Sequence, residues 1–310
     1  MKRNYSIIAT SYNDENEIKN FLDNILSQST APSEIVIADG GSNDNTIKII
    51  TEEAKKNSTI KLVTNGRLNI SQGYNLALKN AKYNLIGVVG IGNIYEKNYF
   101  TKLLCKYEAT NADMVYSPIL GVNNSSYAFN YNNTFLNGDY GQRLSIPSNH
   151  GALVKKEIFQ NNNFFYEYFV YAGEDTEFYT RAVENGASTI MVEDAIVRWK
   201  SPTTISEHLR LIKNYGIASI QILPNLSLFK IILKRLGLIL IFIFLLMLLS
   251  ISMKILLLIS FSVISCKKLN KIRKSKKSLK LLALEYYMYP LVYLRYCKYM
   301  KKDYKVKRGK

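Results

Sequence analysis

"SEIVIADGGSNDNT", residues 33–46, changes character halfway along. Ile35, Val36, Ile37 and Ala38 form a short apolar run, as a strand buried on both faces requires. The run ends at Gly40 and Gly41, where the backbone can turn tightly and pass close to a ligand. Ser42 and Asp44 then offer oxygens to cap a helix, "TIKIITEEAKK". Strand, glycine turn and capped helix is one step of a parallel sheet covered by helices. In such sheets ligands bind beyond the carboxyl ends of the strands, and Asp39 stands at that edge.

The step repeats on both sides. "YSIIAT" (5–10) reads as a first strand, and "NEIKNFLDNILSQS" as a helix with Ile18, Phe21, Leu22, Ile25 and Leu26 on one face. "IKLVTN", "ISQGYNLALKNA" and "YNLIGVVG" continue as strand, helix and strand. Alternation at these lengths predicts an α/β fold with a parallel sheet. Thr10-Ser11-Tyr12, Asp39 to Ser42, and Gly90 to Asn93 would then share one edge. Further on, "ADMVYSPIL" predicts a strand and 121–148 is polar and Asn-rich. "HGALVKKEIF" resumes regular structure. "EDTEFYTRAVENG" predicts a helix ended by Gly186, and "STIMVEDAIVRW" a strand or two.

The 310 residues carry a formal net charge of +17, unevenly spread. Residues 1–225 hold 21 basic and 22 acidic side chains, whereas residues 226–310 hold 20 basic and 2 acidic. The excess flanks a segment that is almost wholly apolar from Leu236 to Cys266, with Lys254 its one charged residue. That placement argues against a nucleic-acid-binding protein and for anionic lipid head groups. A membrane span needs about 20 residues. Basic clusters on both sides, kept cytoplasmic, predict a two-arm hairpin turning near Ser250–Lys254; a single crossing would strand the basic tail outside. The aromatic and basic stretch 278–300 suits a helix lying in the interface, or a short helix packed on the globular domain. The expected organisation is therefore a globular domain over 1–225, a membrane-embedded segment over 226–266 and a basic interfacial tail over 267–310. The apolar run near the N-terminus is too short for a signal peptide. This places the protein at the cytoplasmic membrane with its globular domain on the cytoplasmic side. Cys105, Cys266 and Cys297 form no C-x-x-C pair and read as reduced thiols.

"ATSYNDENEI", "VIADGGSNDNT", "ISQGYNLAL" and "AGEDTEFYTRA", in this order, resemble the family 2 glycosyltransferases, which have the GT-A fold. "VRWKSPTTISEHLRLIKNYG" is similar to the exopolysaccharide (succinoglycan-type) glucosyltransferase subgroup. The resemblance implies inverting transfer of a sugar from a nucleotide-diphosphate sugar, with a UDP-sugar favoured. The acceptor would be a lipid-linked or membrane-associated glycan of cell-surface polysaccharide synthesis. It further implies that Thr10, Tyr12 and Glu15 line the nucleoside pocket, that Asp39 accepts a hydrogen bond from the base beside Gly41, and that Asn75 helps hold the ribose–diphosphate region. Of the acidic pair Glu174-Asp175, Asp175 would be the general base, taking the acceptor hydroxyl proton. His150 would reach the acceptor site, and Arg198, Trp199 and Lys200 the acceptor or the diphosphate. Each has a plainer reading. An acidic pair suits any helix N-terminus, and a lone His or Trp is as readily structural.

One position departs from the family. Its metal-binding Asp-x-Asp falls on Gly90-Ile91-Gly92, which carries no side-chain oxygen. Mn²⁺ or Mg²⁺ prefers carboxylate oxygens, and Asn93 offers at most one neutral oxygen. Three readings stay open: basic side chains such as Arg67, Arg198 or Lys200 replace the ion; an ion is held by other ligands; or the chain is a catalytically inactive scaffold that still binds.

Overall fold

A computed structural model describes residues 4–122, 146–169 and 172–200, with scattered residues between 206 and 214. The expected membrane hairpin (226–266) and basic tail (267–310) lie outside these residues, as does most of the Asn-rich stretch. Among the described residues no helix is long and apolar enough to cross a membrane. The chain divides into two units, 1–203 and 204–310, and both sheets belong to the first.

Strands β1 (Ser6–Ser11), β2 (Glu34–Asp39), β3 (Ile60–Thr64) and β4 (Leu85–Val89) alternate with helices α1 (Ile18–Leu26), α2 (Thr46–Lys56) and α3 (Ile70–Asn80). After β5 (Asn93–Tyr95) and α4 (Tyr99–Thr110) come β6 (Met114–Tyr116), β7 (Ile119–Val122) and β8 (Gly151–Lys155). Helices α5 (Lys156–Asn161) and α6 (Glu174–Glu184) and strands β9 (Thr189–Met191) and β10 (Val197–Lys200) complete the described part.

The main sheet runs β3-β2-β1-β4-β8-β6-β9. Strands β1 to β4 are mutually parallel, and β8 lies antiparallel between β4 and β6. Strand alternation sends side chains to opposite faces. Ile7, Ala9, Ile35 and Ile37 join a core roofed by α1 and α4. Ile8, Val36, Ala38 and Val88 join the other, roofed by α3 and α6. This is why the central strands read as unbroken apolar runs: both faces are covered. The helix α1 buries Ile18, Phe21, Leu22 and Ile25 as its periodicity predicts.

A second, smaller sheet, β5-β10-β7, adjoins the edge where the loops gather. Its pairing sets Val197 opposite Tyr95, Arg198 opposite Ile94 and Trp199 opposite Asn93. In this ribbon Trp199, Asn93 and Tyr95 share one face, while Arg198, Ile94 and Lys200 share the other. Ile94 is accordingly exposed, and Asn93 and Tyr95 are buried. Cys105 is an exposed free thiol.

Candidate active site

The loops after β1 and β2 are stitched together by short polar side chains. Asp39 is fully buried. Its Oδ1 accepts from the amides of Gly41 (2.9 Å) and Ser42 (2.8 Å), and its Oδ2 from the hydroxyls of Ser11 (2.9 Å) and Ser42 (2.6 Å). With four donors from its own fold, Asp39 organises the turn from behind, and the base contact expected of it finds no open oxygen here. Gly41 sits at φ +88°, where an L side chain is strained, with the Arg67 backbone close by. The expected cap holds at Asp44, which takes the amide of the first helical residue Thr46, and not at Ser42. Asn45 is the N-cap residue, and Ser42 instead accepts from the Asn13 amide. Asp44 takes the Thr46 amide on Oδ1 and the Glu15 amide on Oδ2. Glu15 Oε2 holds Asn45 through both its amide and its side chain. Thr10 packs under Gly73 of α3. Tyr12 stands out of this scaffold, 51% exposed at the rim.

Asn75 faces inward. Its Nδ2 donates to the Phe165 carbonyl (2.8 Å) and Glu167 (3.2 Å), and its Oδ1 accepts the Phe165 amide (3.1 Å). It therefore brackets the segment leading into α6 rather than opening onto the crevice. Arg181 secures that segment from the other side. It pairs with Glu177 through two parallel hydrogen bonds, donates to the carbonyls of Asn162 and Phe164, and lies 4.1 Å from the Tyr166 ring centroid. Together these clamps fix the start of α6, where Glu174 and Asp175 emerge.

Glu174 is buried; its Oε1 accepts from Asn149 Nδ2 (3.2 Å), and its Oε2 has no partner. Burial, and then the Asp175 charge, push its carboxyl up to about 8. At neutral pH Glu174 thus keeps its proton and spares Asp175 a like-charged neighbour. Asp175 Oδ1 caps the Thr176 amide, and Oδ2 receives the Asn149 amide at 3.4 Å. Asn149 touches both carboxyls and accepts from Tyr179 (3.1 Å). It joins the site through "SNHG", where only its neighbour His150 stands out in the sequence.

The raised Glu174 carboxyl has a measurable consequence. An unfolded glutamate titrates near 4.5. Below that pH both states hold the proton and the group costs nothing. Between about 4.5 and 8 only the folded state holds it, so stability falls by about 1.4 kcal/mol per pH unit. Glu174→Gln keeps the shape and removes this slope. Thermal melts of the two proteins should converge near pH 5, with the variant progressively more stable towards pH 8. Parallel curves would show that Glu174 titrates normally.

The loop after β4 closes on itself. Tyr95 Oη accepts from the Gly90 amide (3.2 Å) and Asn93 Nδ2 (3.3 Å) and donates to the His150 carbonyl (2.6 Å). Asn93 Oδ1 faces His150 Nδ1 at 3.3 Å. Trp199 meets the His150 ring edge-on at 5.6 Å between centroids. Of the β10 residues expected at the site, the structure brings only Trp199 to it. Lys200 lies on the other face, with both Glu17 oxygens at 2.7 Å, and Arg198 is exposed there too. A divalent cation does not fit this loop. Gly90, Ile91 and Gly92 carry no side-chain oxygen, and the Asn93 oxygen faces His150 Nδ1 at 3.3 Å. Among the described residues no group of three His, Cys, Asp or Glu side chains comes together to hold a metal.

The profile of Glycosyl transferase family 2 matches residues 6–175, from the first strand to the acidic pair. The chain belongs to glycosyl transferase family 2. Glycosyl transferase family group 2 also matches, over residues 93–294. As a family 2 member the protein is a transferase, and its mixed α/β sheet is GT-A-like. Among curated relatives, uncharacterized glycosyltransferase EpsJ of Bacillus subtilis (strain 168) is 27% identical over 110 residues, 36% of this chain and 32% of that one. The match thus spans about a third of the EpsJ length. The dolichyl N-acetyl-alpha-D-glucosaminyl phosphate 3-beta-D-2,3-diacetamido-2,3-dideoxy-beta-D-glucuronosyltransferase of Methanococcus voltae is 22% identical over 244 residues, 69% of this chain and 72% of that one. Two solved structures share the fold at 18% identity. TarS 1-349 of S. aureus in complex with UDP has a TM-score of 0.53 and covers 70% of this chain and 65% of its own. The mannosyltransferase PcManGT of Pyrobaculum calidifontis, in complex with GDP-Man and Mn²⁺, has 0.54, 68% and 61%.

Proposed function

We propose that this family 2 transferase moves a sugar, with inversion, from a nucleotide-diphosphate sugar to a lipid-linked or membrane-associated glycan in cell-surface polysaccharide synthesis. The observation that carries this reading is the convergence of Asp175, Asn149 and His150 on the edge that also holds the β1 and β2 loops. The acceptor hydroxyl oxygen attacks the anomeric carbon as the bond to the β-phosphate oxygen breaks. The nucleoside diphosphate leaves with the electron pair, and Asp175 takes the hydroxyl proton. Thr10, Tyr12 and Glu15 form the nucleoside side, with Asp39, Gly41 and Asn75 shaping it from beneath. UDP is the favoured nucleotide, supported by the UDP-bound neighbour. The acceptor class is supported by the Methanococcus voltae relative, named for a dolichyl phosphate-linked acceptor. The apolar segment 226–266 and the basic tail 267–310 support a site held at the cytoplasmic face of the membrane, where the tail's charges meet anionic lipids.

The test is nucleoside diphosphate release by the full chain in detergent, from a panel of UDP- and GDP-sugars, with a membrane extract as acceptor source. Release from one donor that depends on the extract is expected. No release from any donor would sink the reading. Tyr12, the exposed ring at the rim, offers a face for the base, and base stacking contributes about 1–3 kcal/mol. Tyr12→Ala should therefore weaken UDP binding about tenfold in calorimetry without shifting the melting midpoint. A Kd unchanged from the parent would move the base elsewhere.

A further inference from the structure

The residues around Gly90 do more than lack a metal site: they build something in its place. The sharing of hydrogen bonds fixes the His150 ring. Asn93 Nδ2 is spent on Tyr95 Oη and the His150 carbonyl, so its Oδ1 is the atom facing the ring. His150 Nδ1 must then carry a hydrogen, which assigns the tautomer. Trp199, paired across the ribbon with Asn93, holds the ring from its edge. Nε2 is left as the one polar atom of the ring without a hydrogen-bond partner among the described residues. Burial holds the free His150 imidazole below its ordinary range, and the nearby Asp175 charge, the lesser cause, pulls it back up. The imidazole therefore stands between the β4–β5 loop and the general base, held from three directions with one nitrogen uncommitted.

We propose that His150 takes the part of the divalent cation, its Nε2 donating as imidazolium to the donor diphosphate. The inference rests on the nucleotide-sugar reading above. The second proton comes from solvent as the anionic diphosphate binds, and the charge-assisted hydrogen bond then stabilises the leaving group. Among the described residues, the Asp175 charge acts on the ring, Tyr95 Oη donates to the His150 carbonyl, and Glu174 is tied to the neighbouring Asn149. Arg198 and Lys200 of β10 lie on the opposite face of the ribbon and do not compete for the role.

The test uses the full chain in detergent and calorimetry with UDP, UMP and uridine, and with their guanosine counterparts, in Mn²⁺ and again in EDTA. UDP or GDP affinity is expected to agree within about twofold between the two buffers, since the charge-assisted bond replaces the ion. His150→Gln should reduce the preference for diphosphate over monophosphate about tenfold and leave nucleoside affinity unchanged, with His150→Arg recovering part of the loss. Diphosphate binding that disappears in EDTA would overturn the proposal, whatever the variant does. So would a diphosphate preference unaltered by His150→Gln in a variant that melts like the parent. If no nucleotide of either series binds, the nucleotide-sugar reading falls with it.

Discussion

Asp175→Asn is expected to lower sugar transfer by about a thousandfold while leaving UDP affinity within about twofold of the parent. General base catalysis contributes about 10²–10⁴-fold, and asparagine cannot accept the acceptor's proton. The substitution costs one weak hydrogen bond, that from the Asn149 amide to Asp175 Oδ2, which an amide NH2 cannot accept. The Asn side-chain oxygen can keep the bond from the Thr176 amide that Asp175 Oδ1 now receives. Asp175 is also the weaker partner of Asn149, at 3.4 Å, so the tie between Asn149 and Glu174 survives. A kcat loss with unchanged UDP binding would assign the base. A variant that turns over at the parental rate would remove Asp175 from the chemistry. Glycan assembly in cells that tolerates Asp175→Asn but not deletion of the protein would favour a scaffold.

Gly151→Ala should lower the melting midpoint by roughly 6–12 °C, from a cost of about 3 kcal/mol. Gly151 opens β8 directly after His150, and a Cβ there would lie 2.0 Å from Tyr99 Oη and 3.0 Å from its Cζ. Tyr99 cannot swing aside. It is fully buried, hydrogen-bonded to Ser117 at 2.7 Å and packed edge-on against Phe100. Tyr99→Phe removes the closest atom, so the double variant should recover part of the loss, giving a coupling that a thermodynamic cycle measures. A Gly151→Ala protein that melts with the parent would show that β8 and α4 are further apart than described.

The β1–β4 core was legible because strands covered on both faces write continuous apolar runs, and α1 writes its buried stripe at helical spacing. The small sheet was harder. Its strands β5 and β10 are three and four residues long, too short for a periodic signal. Yet period-two alternation in "VRWK" already separates Trp199 from Arg198 and Lys200, and it could have sent those two to the other face. Asn149 left no local trace, since its side-chain partners Glu174 and Tyr179 lie tens of residues away, and neither did the Tyr95 tie to the His150 carbonyl. Asp39 and Asn75 show the opposite limit. A motif places a polar residue at the right edge, but cannot say whether its atoms face a ligand or are consumed by the turn.

The antiparallel insertion of β8 between β4 and β6 also bears on how the protein is made. On a translating ribosome, β1 to β4 can zip together as they emerge, because each lies next to a neighbour already synthesised. The free edge of β4 must then wait while the chain runs from Val89 to Gly151. During that interval a nascent molecule carries an unpaired apolar strand that could capture a second copy emerging from the same message. Docking of β8 covers the β4 edge and brings Asn149 and His150 to the site, while Asp175 and the outer strand β9 are still to be made. Chaperone demand should therefore fall when β8 docks, before the helix that carries Asp175 can make the protein active.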